Sequence, residues 1–323
     1  MLYEKIKGCI FGAAIGDALG TLVEEMDKDT VKKAYGGPIL DFVNPSPISV
    51  CPHLKKGQYS HETQMFLLAL EVYAEKGTFD EFTFIEKLTE WVKDEKSHRY
   101  PAGSHINAAL SYLKGADPTE ARVKAIDIDG AIPAVAAGIF RWDSSYDAYE
   151  DGVKIASITH NDETLLDTAG VLAVAISEVI GGRVSFSTKE DRLGFIDVLR
   201  EFSQTEMVRA YLDMVSQALL KEITSIDDLT LILGNGSFAP ESFGIALFLA
   251  MENSRNFRNA ILKAVNSYGE FGGDTDAIGF ITGGLVGGYL GFSAIPGEWV
   301  ERLEHKDYFD IISQRLCPDE NSI

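Results

Sequence analysis

Five side chains able to hold a metal ion or move a proton stand at two helix starts that lie far apart in the chain. In GQYSHETQMFLLALEVY, Gly57 to Tyr73, a turn and the polar run Ser60, His61, Glu62 precede an apolar helix. In GGDTDAIGFITGGLVGGYLG, Gly272 to Gly291, two glycines lead into Asp274 and Asp276 and then a glycine-striped helix. Free amides and the helix dipole favour negative charge in any first turn, so Ser60 as N-cap with Glu62 behind it reads, by itself, as an ordinary capped start. The second site asks for more. One carboxylate satisfies a cap, whereas two carboxylates one residue apart repel each other, and a bound cation relieves that repulsion.

Two further polar groups sit in apolar settings. Asp17 lies among alanines and glycines in GAAIGDALGTLVEE and needs a partner, either a capping amide or a metal; Glu24 and Glu25 follow at the end of that segment. His160 precedes another apolar helix in ASITHNDETLLDTAG, where a cap and a polar ligand contact are both open. No G-x-S-x-G elbow, activated cysteine, P-loop or Rossmann fingerprint is present.

The elements that must position these groups are helices. Apolar residues recur at helical spacing, as in Phe66, Leu67, Leu70 and Tyr73, or Phe82, Ile85, Leu88, Trp91 and Val92, while strand-like alternation is scarce. Breaks fall at Gly36-Gly37-Pro38, at the proline-rich loop Pro45 to Lys56, around Asp117-Pro118, at Gly181-Gly182 and at Gly234 to Pro240. None is a linker, so the expectation is one all-α domain over residues 1–323. Gly279, Gly283, Gly287 and Gly291, four apart, draw a smooth stripe along one helix for close approach of another.

The formal charge of −20, with 49 acidic and 29 basic residues, repels phosphate backbones and anionic lipid, so neither nucleic acid nor a membrane is an expected partner. Three scattered cysteines, Cys9, Cys51 and Cys317, suit a reducing cytoplasm. The apolar Cys9 to Gly16 stretch is broken by glycine and runs into Asp17 without a cleavage region, and is not read as a signal peptide.

In order along the chain, these stretches resemble the ADP-ribosylglycohydrolase family, also called the dinitrogenase-reductase-activating glycohydrolase family, from about Ile6 to Glu304. GAAIGDALGTLVE resembles its opening helix, GQYSHETQMFLLAL its W/Y-T-D-D-T segment, and RYPAGSHINAAL its G-P-x-x loop. DGAIPAVAAGIF resembles its N-G-A-A-M-R segment, SITHNDE its S-x-T-H-x-D/N signature, GNGSFAPESFGIALFLA its G-x-G-W-V-A-E-E-A helix, and AVNSYGEFGGDTDAIGFITGGLVGGYLG with IPGEWVERLE its C-terminal signature. The resemblance implies an all-α fold holding Mg or Mn ions between the T-D-D and D-x-D-T segments. It also implies hydrolysis of a glycosidic bond between ADP-ribose and a protein side chain, in which the ions orient the ribose and activate water.

Carried over residue by residue, the resemblance makes Ser60, His61, Glu62, Asp274 and Asp276 the metal ligands. It makes Glu24 and Glu62 the catalytic acids, and Asp17, Gly103, Ser104 and His160 the substrate-binding residues. The chain departs from the pattern at its chemical centre. Ser60-His61-Glu62 stands for T-D-D, Ala277 for the last threonine of D-x-D-T, and Pro133 and Ala134 where the arginine of M-R is expected. A neutral His61 suits Mn, Zn or Fe better than Mg. The expected function is metal-dependent cleavage of an ADP-ribosyl or related ribosyl N-glycosidic bond, on an ADP-ribosylated protein or a small ribosyl substrate such as a nucleoside. The alternative is a catalytically silent relative that binds ADP-ribose, a nucleotide or an ADP-ribosylated partner.

Overall fold

The structure, a computed structural model, describes residues 1–317. Seventeen α-helices and four short 3-10 turns make up its regular structure, and among the described residues there is no β-strand, only two isolated bridges. The expected all-α class holds. One continuous apolar core takes residues from Ile6 to Leu316, so the two ends of the described chain pack into the same interior.

At its centre the N-terminal helix, Leu2–Gly20, lies against the glycine-striped helix, Thr275–Leu290. Both carry glycine every fourth residue: Gly8, Gly12, Gly16 and Gly20 on the first face Gly279, Gly283 and Gly287 on the second. A Cβ on Gly12 would run into the carbonyl oxygen of Gly283, and one on Gly16 into that of Gly279. The backbones therefore meet directly, at a separation that only glycine permits. The partner of the stripe expected from the sequence is the small-residue face around Asp17. Gly291, the last member of the expected stripe, lies just past the helix end.

The helix that follows SHET, His61–Lys76, begins at Ser60, whose Oγ accepts the Glu62 amide at 3.1 Å, and stops at Gly77 in the left-handed region (φ 68°). Helix Glu163–Gly181 is long and apolar enough to cross a membrane, but it runs through the core and most of its residues are buried. Asp117-Pro118 and Gly234 to Pro240 mark helix starts as well as breaks, because Pro118 and Pro240 occupy first turns, where a missing N–H costs nothing.

Candidate active site

Two carboxylates on or just after the N-terminal helix fix both metal-capable helix mouths. Asp17 is fully buried and accepts four hydrogen bonds: from Thr21 Oγ1 at 2.9 Å, the Ser60 amide at 2.9 Å, the Thr63 amide at 2.9 Å and Thr63 Oγ1 at 2.6 Å. It thereby caps the SHET helix from outside. Glu24, past the helix end, does the same for the other mouth. Its Oε2 accepts from the Thr275 amide at 2.7 Å and from Thr275 Oγ1 at 3.2 Å, while Asp274, the residue at the N-cap position, makes no side-chain cap. The GGDTD turn is held by backbone bonds from the Glu25 amide to Gly273 and from the Asp274 amide to Asn235. Gly272, at φ 88°, sits so close to the Glu25 carbonyl that a side chain would not fit.

These fastenings bring the mouths to a single cleft of about 330 Å³, lined by Glu24, Glu25, His61, Asp129, Asp274 and Asp276, with Tyr100 to Ser104, Asp127 and Ser237. Two triads converge there. Ligand atoms of His61, Glu62 and Asp129 lie within 4.8 Å of one another, as do those of Glu24, Asp274 and Asp276. His61 Nε2 is 2.5 Å from Asp129 Oδ1 and 4.0 Å from Glu62 Oε1. Glu62 Oε2, Asp276 Oδ2 and His61 Nδ1 are buried without a hydrogen-bond partner. Orphaned buried oxygens of this kind are costly, and a bound cation would satisfy them.

The electrostatics are those of a crowded acidic site. Burial, and then the Asp276 and Asp274 charges, raise the Glu24 carboxyl well above the usual range; burial and Asp129 do the same to Glu62, and burial and Asp276 to Asp274. Asp276 is pushed up to about 6, by burial and the Asp17 charge against the pull of His61. Burial pulls the His61 imidazole down, but the Asp129 carboxylate wins and holds it above its ordinary value. Burial likewise opposes ionisation of Asp129, and His61 overrides it, holding that carboxyl well below the usual range. Protons held on carboxyl groups in a cleft mark the places where a divalent ion would displace them.

Of the expected site residues, the structure brings Glu24, His61, Gly103, Ser104, Asp274 and Asp276 to the cleft wall. Glu62 lies just behind it, 1% exposed. Ser60, Asp17 and His160 do not line it. Ser60 Oγ accepts the Glu62 amide at the helix start, and Asp17 is closed off by its four donors. His160 is fully buried, with Nδ1 2.8 Å from Thr159 Oγ1 and Nε2 3.5 Å from Asp127 without forming a hydrogen bond; the cap of the following helix comes from Asp162. Pro133 and Ala134 are buried in a 3-10 turn away from the cleft.

The residues that sequence reasoning missed come from the middle of the chain. Asp127 and Asp129 enter from the Ile128–Gly130 turn, and Ser104 Oγ donates to Asp127 Oδ1 at 3.1 Å. The signal was present, because Asp127-Ile128-Asp129 repeats the one-apart carboxylate spacing of GGDTD, and Asp129 is itself the first residue of the DGAIP segment. His105 packs between His61 and His160, with ring centroids 6.3 and 5.7 Å away, and burial beside His160 lowers its pKa to about 3. Tyr100 donates to Glu25 Oε1 at 2.7 Å across the cleft, and both residues have positive φ.

Comparison with known proteins agrees with this architecture. The family model for ADP-ribosylglycohydrolase matches residues 1–322. An uncharacterized protein of Archaeoglobus fulgidus is 30% identical over 97% of this chain and 96% of its own length. The ADP-ribosylarginine hydrolase Tri1 of Pseudomonas putida is 26% identical over 97% of this chain and 78% of its own. A solved ADP-ribosylglycohydrolase-related protein complex shares the fold at TM-score 0.76 and 23% identity, covering 98% of this chain and 97% of that one. With a family model spanning nearly every residue and an acidic cleft where the family's motifs converge, the chain belongs to the ADP-ribosylglycohydrolase family and is a hydrolase of that type.

Proposed function

We propose that the chain hydrolyses the N-glycosidic bond between an ADP-ribosyl group and a protein side chain, with divalent ions held by the two triads. The observation that carries this reading is the pair of buried, unpartnered oxygens at two helix mouths: Asp276 Oδ2, on a residue that lines the cleft, and Glu62 Oε2, on a residue just behind its wall. His61, Glu62 and Asp129 would hold one ion and Glu24, Asp274 and Asp276 the other. When bound, such ions orient ribose hydroxyls and lower the pKa of water.

The chain's own groups supply the rest. Glu24 has Oε2 tied to the Thr275 amide, so its carboxyl is fixed at the cleft wall, and in the metal-free protein burial and the Asp276 and Asp274 charges hold its pKa well above the ordinary range. That suits it to exchange a proton with the attacking water or the departing nitrogen. Tyr100, Gly103 and Ser104 would receive the nucleotide side of the substrate at the open rim, while Asp17 and His160 act from behind, by positioning the SHET helix and the Asp127 turn.

The test is release of ADP-ribose, followed chromatographically, from ADP-ribosylated arginine peptide with Mg2+ or Mn2+. Arginine comes first because the Pseudomonas putida relative is named for that linkage. Metal-dependent release that vanishes in Asp276→Ala supports the reading, and absence of release from arginine, serine and nucleoside substrates with every ion refutes it. Ala277 offers no hydroxyl and Ser60 Oγ already accepts the Glu62 amide, which motivates the second reading, a binder without turnover. Saturable ADP-ribose binding with no product would establish that one.

A further inference from the structure

We infer that the two ion positions are chemically unlike: the one formed by His61, Glu62 and Asp129 takes a divalent transition-metal ion, and the one formed by Glu24, Asp274 and Asp276 takes Mg2+. The inference rests on the two-ion reading above. Its new element is Asp129, a carboxylate from the middle of the chain that completes a mixed nitrogen and oxygen donor set.

The second triad offers carboxylate oxygens alone, the donors that a hard ion prefers. The first offers an imidazole nitrogen, whose Nε2 faces both Asp129 Oδ1 at 2.5 Å and Glu62 Oε1 at 4.0 Å. An imidazole shifts preference away from Mg2+, which dehydrates reluctantly and seeks oxygen, toward Mn2+, Fe2+ or Zn2+. The triad is incompletely satisfied without an ion, since Glu62 Oε2 has no partner although the residue is more than nine-tenths buried. Asp129 is aimed at the same point by the Ile128–Gly130 turn, where Gly130 packs against the His160 ring and leaves no room for a side chain.

The full chain, stripped with chelator and loaded with two equivalents of Mn2+, is dialysed against millimolar Mg2+. The retained manganese is counted by atomic absorption and examined by pulsed EPR for imidazole 14N coupling. One retained equivalent with 14N coupling is expected. Asp129→Asn should weaken retention about tenfold or more, and His61→Asp should abolish the 14N coupling and let Mg2+ replace both ions. Because the wild-type measurement needs no variant, misfolding of either variant leaves the test intact. Loss of both equivalents to Mg2+, or one retained ion without 14N coupling, overturns the inference while ADP-ribose release with Mg2+ would still stand. Binding of no divalent ion at all overturns both this inference and the two-ion reading beneath it.

Discussion

Replacing Asp17 by alanine separates a positioning role from a substrate contact. The carboxylate accepts two backbone amides, Ser60 and Thr63, and two threonine hydroxyls, in a place with no access to water. The hydroxyls can turn to other acceptors, but the amides at the start of a buried helix cannot. Each abandoned buried donor costs about 1–3 kcal/mol, so Asp17→Ala should lose about 3–5 kcal/mol. An unfolding entropy of about 2.1 cal/mol/K per residue gives about 0.7 kcal/mol/K for a chain of 323 residues. The melting temperature, followed by circular dichroism at neutral pH, should therefore fall by about 4–7 °C. Asp17→Asn, which keeps one accepting oxygen, should fall by roughly half as much. If Asp17 instead met substrate, Asp17→Ala would melt within about one degree of wild type and raise KM alone. That result would refute the capping argument.

Other perturbations test the remaining links. Gly283→Ala gains about 1 kcal/mol of helix propensity but drives a Cβ into the Gly12 carbonyl, so net destabilisation of about 1–2 kcal/mol is expected in a denaturant titration. Gly194→Ala, in a helix with open space around that position, should instead stabilise by about 0.5–1 kcal/mol. Glu62→Gln removes a charge that burial and Asp129 disfavour. The metal-free protein should melt at or above the wild-type temperature while losing most of the melting increase that Mn2+ produces.

The metal-free protein should also lose stability as pH rises above the ordinary carboxylate range. Glu24, Glu62 and Asp274 have folded pKa values raised well above the ordinary range, so the native state binds protons there that the unfolded chain has already released. Each proton so retained contributes a slope of about 1.4 kcal/mol per pH unit. His61, raised as well, acts in the same direction. His105, lowered to about 3, opposes these groups only below its unfolded value, about 6.5, because above that it is neutral in both states. Saturating Mn2+ should flatten the slope, and a flat profile without metal would contradict the assigned shifts.

Local chemistry in the sequence determined the helices, the Ser60 cap, the tight GGDTD turn and the family motifs, because caps, glycines and apolar periodicity act over a few neighbouring residues. It also singled out His61, Glu62, Asp274 and Asp276, and the family resemblance added Glu24 as an acid, which makes five of the six carboxylate and imidazole groups of the two triads. The sixth, Asp129, sits in a 3-10 turn without an amphipathic pattern, and its value comes from a His61 ring that approaches from a distant helix. Tertiary structure likewise decided the roles of Asp17 and Glu24. A buried carboxylate on a small-residue face announces that it needs partners, but only the packed backbone decides which ones. Here the glycine-to-glycine seam brings the N-terminal helix close enough for its two carboxylates to cap the helices that carry the site.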